Sequence, residues 1–125
     1  MLWDGRETDS VLMHGDCVVA NAGTILLDAL VNDRPTVCVL YDEGAPPGES
    51  WAMKNVVGEH YRELIGSDAF LRAERFDEVV AGIERCLAAP GELARERRRV
   101  VDSVVGEVDG RAAERVVDAV TDAVE

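Results

Sequence analysis

The chain has 125 residues, 47% of them hydrophobic, and its 25 Asp and Glu against 13 Lys and Arg leave a net charge of −12. That length and apolar content suffice for one cored domain, while the negative field repels nucleic acid and anionic membrane, so neither is expected as a partner. No apolar run approaches the ~20 residues of a membrane span, and the N-terminus is acidic rather than basic-then-apolar, so a cytoplasmic location is expected.

Met1-Leu2-Trp3-Asp4-Gly5-Arg6-Glu7 carries no clean start signal, and His14 stands before Gly15-Asp16 at a strand entrance, where a structural role is expected. The apolar run Cys17-Val18-Val19-Ala20 reads as a buried strand that breaks at Asn21-Ala22-Gly23-Thr24. Ile25, Leu26, Leu27, Ala29 and Leu30 then mark a short amphipathic helix, and the chain re-enters a buried strand just after Pro35. This βαβ unit leaves its first turn at the carboxyl end of the strand, where open α/β sheets bind ligands. Unpaired N–H groups and the helix dipole welcome an anion beside Gly23 and Thr24. Asp28 lies one turn further on the same face as Thr24, where a carboxylate can accept hydrogen bonds from sugar hydroxyls. Together they point to a nucleotide or nucleotide-sugar site, although Thr24 serves equally as a bare helix cap and Asp28 as a solvated helix charge.

Residues 41–50 hold two prolines and two glycines and must be a loop at the ligand end of the sheet. Its Asp42, Glu43 and Glu49 read as solvated acids rather than a cation site, so no metal is expected. Tyr41 and Trp51 could stack on a base, but filling the edge of the core is the stronger reading. Residues 51–56 suggest a short helix or lid, residues 59–66 a helix, and residues 69–73 a short third strand. His60 in the second of these is a surface residue, a core histidine or a donor to a phosphate. A clearer helix spans residues 77–89, with Val79, Val80, Ile83, Cys86 and Leu87 as an apolar stripe, Asp77 as its cap and Pro90-Gly91 as its stop. Another covers about 92–105; the run Arg95-Glu96-Arg97-Arg98-Arg99 spreads around its axis and reads as a solvated face. The last runs from Gly110, capped by Asp109, with Ala113, Val116, Val117, Val120 and Val124 on one face.

Cys17 and Cys38 fall in strands and Cys86 on an apolar helix face, so all three read as reduced core residues. Phosphate-loop, dinucleotide, nucleophile-elbow and Cys-x-x-Cys motifs are all missing, and no cofactor is expected. Lys54 is the lone lysine. Such an acidic, lysine-poor surface resembles proteins of salt-loving cytoplasms, and a GC-rich genome explains it as well.

The strand Asp16-Cys17-Val18-Val19, the turn with Asn21 and Gly23-Thr24, the helix segment Leu27-Asp28-Ala29 and the strand Arg34-Pro35-Thr36-Val37 resemble the donor-binding half of GT-B glycosyltransferases and of their CDP-glycerol glycerophosphotransferase relatives. The likeness continues more loosely through Glu59-His60-Tyr61-Arg62 and residues 109–115. It implies a nucleoside-diphosphate donor, with Asn21, Gly23 and Thr24 at the diphosphate, Asp28 at the ribose and His60 as a polar contact. The family usually carries Ser-Thr in place of Gly23-Thr24, and Glu more often than Asp at position 28.

A GT-B enzyme needs two Rossmann-like domains, so residues 1–125 are expected to form a single incomplete Rossmann-like α/β domain without a linker: about three parallel strands flanked by helices, ending in helix. The chain is then a fragment or a truncated reading frame, inactive by itself. In the intact fold the strand at residues 17–20 would lie mid-sheet. Here its free edge is expected to pair with a second copy or with a missing N-terminal domain unless residues 2–12 cover it. A non-catalytic binding or interaction module is the rival reading.

Overall fold

The computed structural model describes residues 6–46, 49–54 and 62–125, with backbone alone at positions 53 and 54. The chain forms α1 (Arg6–His14), β1 (Val18–Asn21), α2 (Thr24–Val31), β2 (Thr36–Val39), α3 (Trp51–Lys54), α4 (Arg62–Ile65), β3 (Leu71–Ala73), α5 (Phe76–Ala88), α6 (Ala94–Val104) and α7 (Ala112–Val124). The three strands are parallel in the order β1-β2-β3, with Val18 opposite Thr36 and Val37 opposite Leu71. This is the expected partial Rossmann-like unit.

Alternation along β2 sends its side chains to two separate cores. Cys38 and Leu40 pack with Leu26 and Leu30 of α2, Leu64 of α4, Phe70, and Val100 and Val101 of α6. Val37 on the opposite face packs with Ala73 of β3 and with Val79 and Cys86 of α5. A strand buried on both faces has no polar side to show, which is why β2 reads as a continuous apolar run.

Helix α2 ends in a Schellman turn. Arg34 N–H donates to the Ala29 carbonyl and Asp33 N–H to that of Leu30, with Asp33 in the left-handed region at φ 53°. The Asp33 carboxylate accepts from Arg97 Nε at 2.8 Å, and Arg97 also donates to the Pro90 carbonyl at 3.0 Å. Arg97 is only 3% exposed, so the basic run of α6 is not a uniformly solvated face. One of its members ties α6 to the end of α2 and to the turn after α5.

Several local expectations shift. Helix α1 comes from a segment expected only as a cover for the sheet edge. Cys17 lies just before β1, and β3 is confined to three residues. Arg75, not Asp77, is the capping residue of α5, and the Asp77 carboxylate instead takes the Arg75 guanidinium at 3.0 Å. Val80 and Leu87 are exposed, because α5 turns only Val79, Gly82 and Cys86 fully inward. Trp51 is 72% exposed and does not fill the core edge, whereas Tyr41 packs against the Val37 cluster. Asp109 lies before α7, where its Oδ1 accepts the Arg111 N–H at 3.0 Å. Among the described residues no helix is long and apolar enough to cross a membrane.

Candidate functional site

All three strands point the same way, so their carboxyl ends deliver Ala22 to Thr24, Leu40 to Asp42 and Glu74 to Phe76 to one end of the sheet. Asn21 closes β1 there, Gly23 is the capping residue of α2, Thr24 opens the helix and Asp28 follows one turn later. Four of the five residues singled out from the sequence therefore share one strand-turn-helix corner, with Asn21, Thr24 and Asp28 exposed and Gly23 half-buried. The fifth, His60, lies outside the described residues. His14 ends α1 and is exposed.

The two long helices that start at this end differ in what surrounds their first N–H groups. At α5 the first turn carries Asp77 and Glu78, and the Glu78 carboxylate accepts the Glu74 N–H at 2.7 Å and faces the Arg75 guanidinium at 3.5 Å. An anion arriving there meets two carboxylates. At α2 the capping residue is Gly23, no side chain caps the helix, and its first turn holds no acid. Gly23 has an extended backbone, and a Cβ added to it would meet nothing within 4 Å, so the space above the turn is open. The positive end of the α2 dipole is thus the one of the two not already matched by the protein's own negative charge.

Two aromatic rings at the same end are exposed: Phe76, which the sequence did not single out, and Trp51, for which base stacking was the weaker expectation beside filling the core edge. Phe76 is 68% exposed at the first position of α5. Trp51 is held near the end of β2 because its N–H donates to the Asp42 carboxylate. The signal for Phe76 was its place directly after the third strand, before the apolar stripe begins. Asp42 is engaged by that hydrogen bond, and among the described residues no three His, Cys, Asp or Glu side chains are grouped to hold a metal ion.

None of the three free thiols is poised as a nucleophile. Burial pushes Cys38 up to about 11 and Cys86 up to about 12, and it raises Cys17 as well, so all stay protonated near neutral pH.

Two concavities flank the sheet, one along each of its edges. An open depression of about 600 Å³ runs along the β3 edge past Phe70, Arg72, Glu78 and Arg85. Its cations are occupied: Arg85 forms a fork with Glu92 at 2.7 and 2.8 Å, and Arg72 donates to backbone carbonyls of Ile65 and Ser67. A second groove of about 370 Å³ lies along β1 between Val11 and Leu12 of α1 and Val19 and Ile25. Helix α1 buries Leu12 but leaves Val11 and Val19 exposed, so among the described residues β1 is an edge strand and α1 covers it only in part.

No family model, no characterised protein and no solved structure matches the chain.

Proposed function

We propose that the corner formed by Asn21, Gly23, Thr24 and Asp28 holds the diphosphate and ribose of a nucleotide-sugar donor, as the donor-binding unit of a glycosyltransferase. The observation that carries this reading is the contrast between the two helix starts: α2 offers uncapped N–H groups and an open approach, while α5 is fronted by its own carboxylates. In such transfer the protein's work is to stabilise the departing nucleoside diphosphate, so the amides of Gly23 and Thr24 act electrostatically on the anion. Asp28 accepts from ribose hydroxyls, and Asn21 and His60 supply polar contacts. Phe76 and Trp51 are the exposed rings near enough to the strand ends to offer a base a stacking face. A CDP-glycerol-type donor uses the same corner, and a non-catalytic nucleotide-binding module would too. The free edge of β1 takes up a further strand, from another copy or from a preceding domain, because an unpaired strand with exposed Val19 is a template for pairing.

The test is an NMR titration of the chain with UDP, CDP and GDP. Weak, millimolar binding should shift the amides of Gly23, Thr24 and Asp28, and Asp28→Ala should weaken it by about 10- to 150-fold, the worth of a hydrogen bond to a charged acceptor. Binding that moves other residues, or no shift at all at these three, would sink the reading.

A further inference from the structure

Cys17 and Cys86 are distant in sequence and neighbours in the fold. Cys17 stands just before β1, two positions ahead of Val19 and so on the same face of the sheet as Val37, the residue opposite Val19. Helix α5 covers that face: Gly82 lies against Val37, and one turn later Cys86 lines a narrow cleft with Pro35 and Thr36 at the start of β2. Strand β1 begins there too, since Val18 is opposite Thr36 and its N–H donates to the Pro35 carbonyl at 2.9 Å. Both cysteines therefore join the Val37 cluster, Cys86 buried and Cys17 half-exposed at its rim. The Cys86 thiol donates a hydrogen bond to the Cys17 sulfur. Cys38, the third thiol, packs in the other core on the opposite face of β2.

We infer that Cys17 and Cys86 are a redox site, oxidised by a low-molecular-weight disulfide of the glutathione type to a protein disulfide that staples the start of β1 to the last turn of α5. Cys17 is the sulfur that a disulfide in solution can reach, and the hydrogen bond from Cys86 favours its thiolate. Having lost its proton to solvent, Cys17 attacks one sulfur of the small disulfide and expels the other as a thiolate. Cys86 then gives up its proton and attacks the Cys17 sulfur, expelling the second small thiolate. Two protein thiols and one small disulfide become one protein disulfide and two small thiols, the small disulfide being the two-electron oxidant. Burial keeps both protein thiols protonated at neutral pH, so the exchange is slow; the same burial makes each a poor leaving group and the finished bond hard to reduce. Cys17 precedes the first paired residue of β1, so its sulfur can close to the bonding distance of about 2 Å without a shift of strand register. The ring so formed takes in all three strands, and a cross-link over that length of chain restricts the unfolded state strongly. The staple lies at the amino ends of the strands, opposite the corner of Asn21, Gly23, Thr24 and Asp28, so it acts on stability and leaves that corner as it is.

Incubating the native full chain in glutathione buffers of rising oxidised fraction, quenching with acid and mapping peptides by mass spectrometry tests the site. The wild-type chain should lose two hydrogens and yield a peptide linking Cys17 to Cys86 within one molecule, with Cys38 still free. Its thermal midpoint should rise by about 10 °C and fall back on treatment with dithiothreitol. Cys86→Ser should stop at the mixed disulfide of Cys17 with glutathione, Cys17→Ser should stay reduced, and neither should gain stability. Cys38→Ala should oxidise as the wild type does. A wild-type chain whose Cys17 stays reduced or stops at the mixed disulfide in the most oxidising buffer overturns the inference. So does a link that involves Cys38, joins two molecules or forms only in urea, because the folded neighbourhood of Cys17 and Cys86 would then not direct it. A Cys17–Cys86 link that leaves the midpoint unchanged overturns its role as a staple.

Discussion

Arg97 shows what one side chain contributes when it crosses between elements. It sits 3% exposed between Asp33, which is 61% exposed, and the carbonyl of Pro90. Replacing it by Met keeps most of the stem's packing but removes both hydrogen bonds. Because the remaining Asp33 carboxylate can turn to water, the cost should stay at about 1–3 kcal/mol in a urea titration rather than the larger penalty of a stranded buried charge. The arginine-rich run was plain in the sequence, but which arginine turns inward was not, since that depends on where α2 ends and how α6 lies against it. The thiols give a second residue-scale test. Cys38 at about 11 and Cys86 at about 12 remain protonated in the fold, whereas in the unfolded chain they ionise at roughly 8.5. Above that unfolded value the unfolded state binds fewer protons than the native one, so stability is intact below pH ~8.5 and falls as pH rises toward 11. Urea midpoints measured from pH 7 to 10 should decline, and Cys86→Ala should flatten the decline. Iodoacetamide should label half-exposed Cys17 well before Cys38 or Cys86.

Between elements, α5 fits closely on β2. A Cβ placed on Gly82 would stand 2.9 Å from Val37 Cγ2 and 3.2 Å from Cγ1, and Val37 is fully buried on the central strand. A β-branched side chain there has little freedom to turn away, so Gly82→Ala should destabilise by about 1–3 kcal/mol despite its gain in helix propensity, as thermal unfolding will show. The helix itself was legible from its 3.6-residue apolar spacing and its Pro90-Gly91 stop. Its rotation was not: the stripe through Val80 and Leu87 is wider than the face α5 actually buries. Helix α1 was missed because Val11, Leu12 and Met13 are adjacent rather than spaced, and only Leu12 is buried. A helix fixed by one anchoring side chain leaves almost no periodic trace.

For the molecule as a whole, the body ends at α6. Gly106 N–H closes that helix on the Val101 carbonyl at 3.1 Å with φ 80°, and nothing beyond it is buried. A chain shortened to end at Gly106 should therefore unfold in urea within about 0.5 kcal/mol of the full chain, since it loses no core contact. Asp109 beyond that point is held down to about 2, first by the Arg115 guanidinium and then by the Arg111 N–H. The βαβ corner, the parallel strands and most helices followed from the sequence alone, because continuous apolar runs, a glycine turn and 3.6-residue spacing are local consequences of burial. So did the grouping of Asn21, Gly23, Thr24 and Asp28, which lie within eight consecutive positions. The strand order, the half-covered edge of β1, the inward turn of Arg97 and the bare flank of α7 were decided only by the tertiary structure. Each depends on which surfaces distant segments leave uncovered, and no local pattern of residues records that.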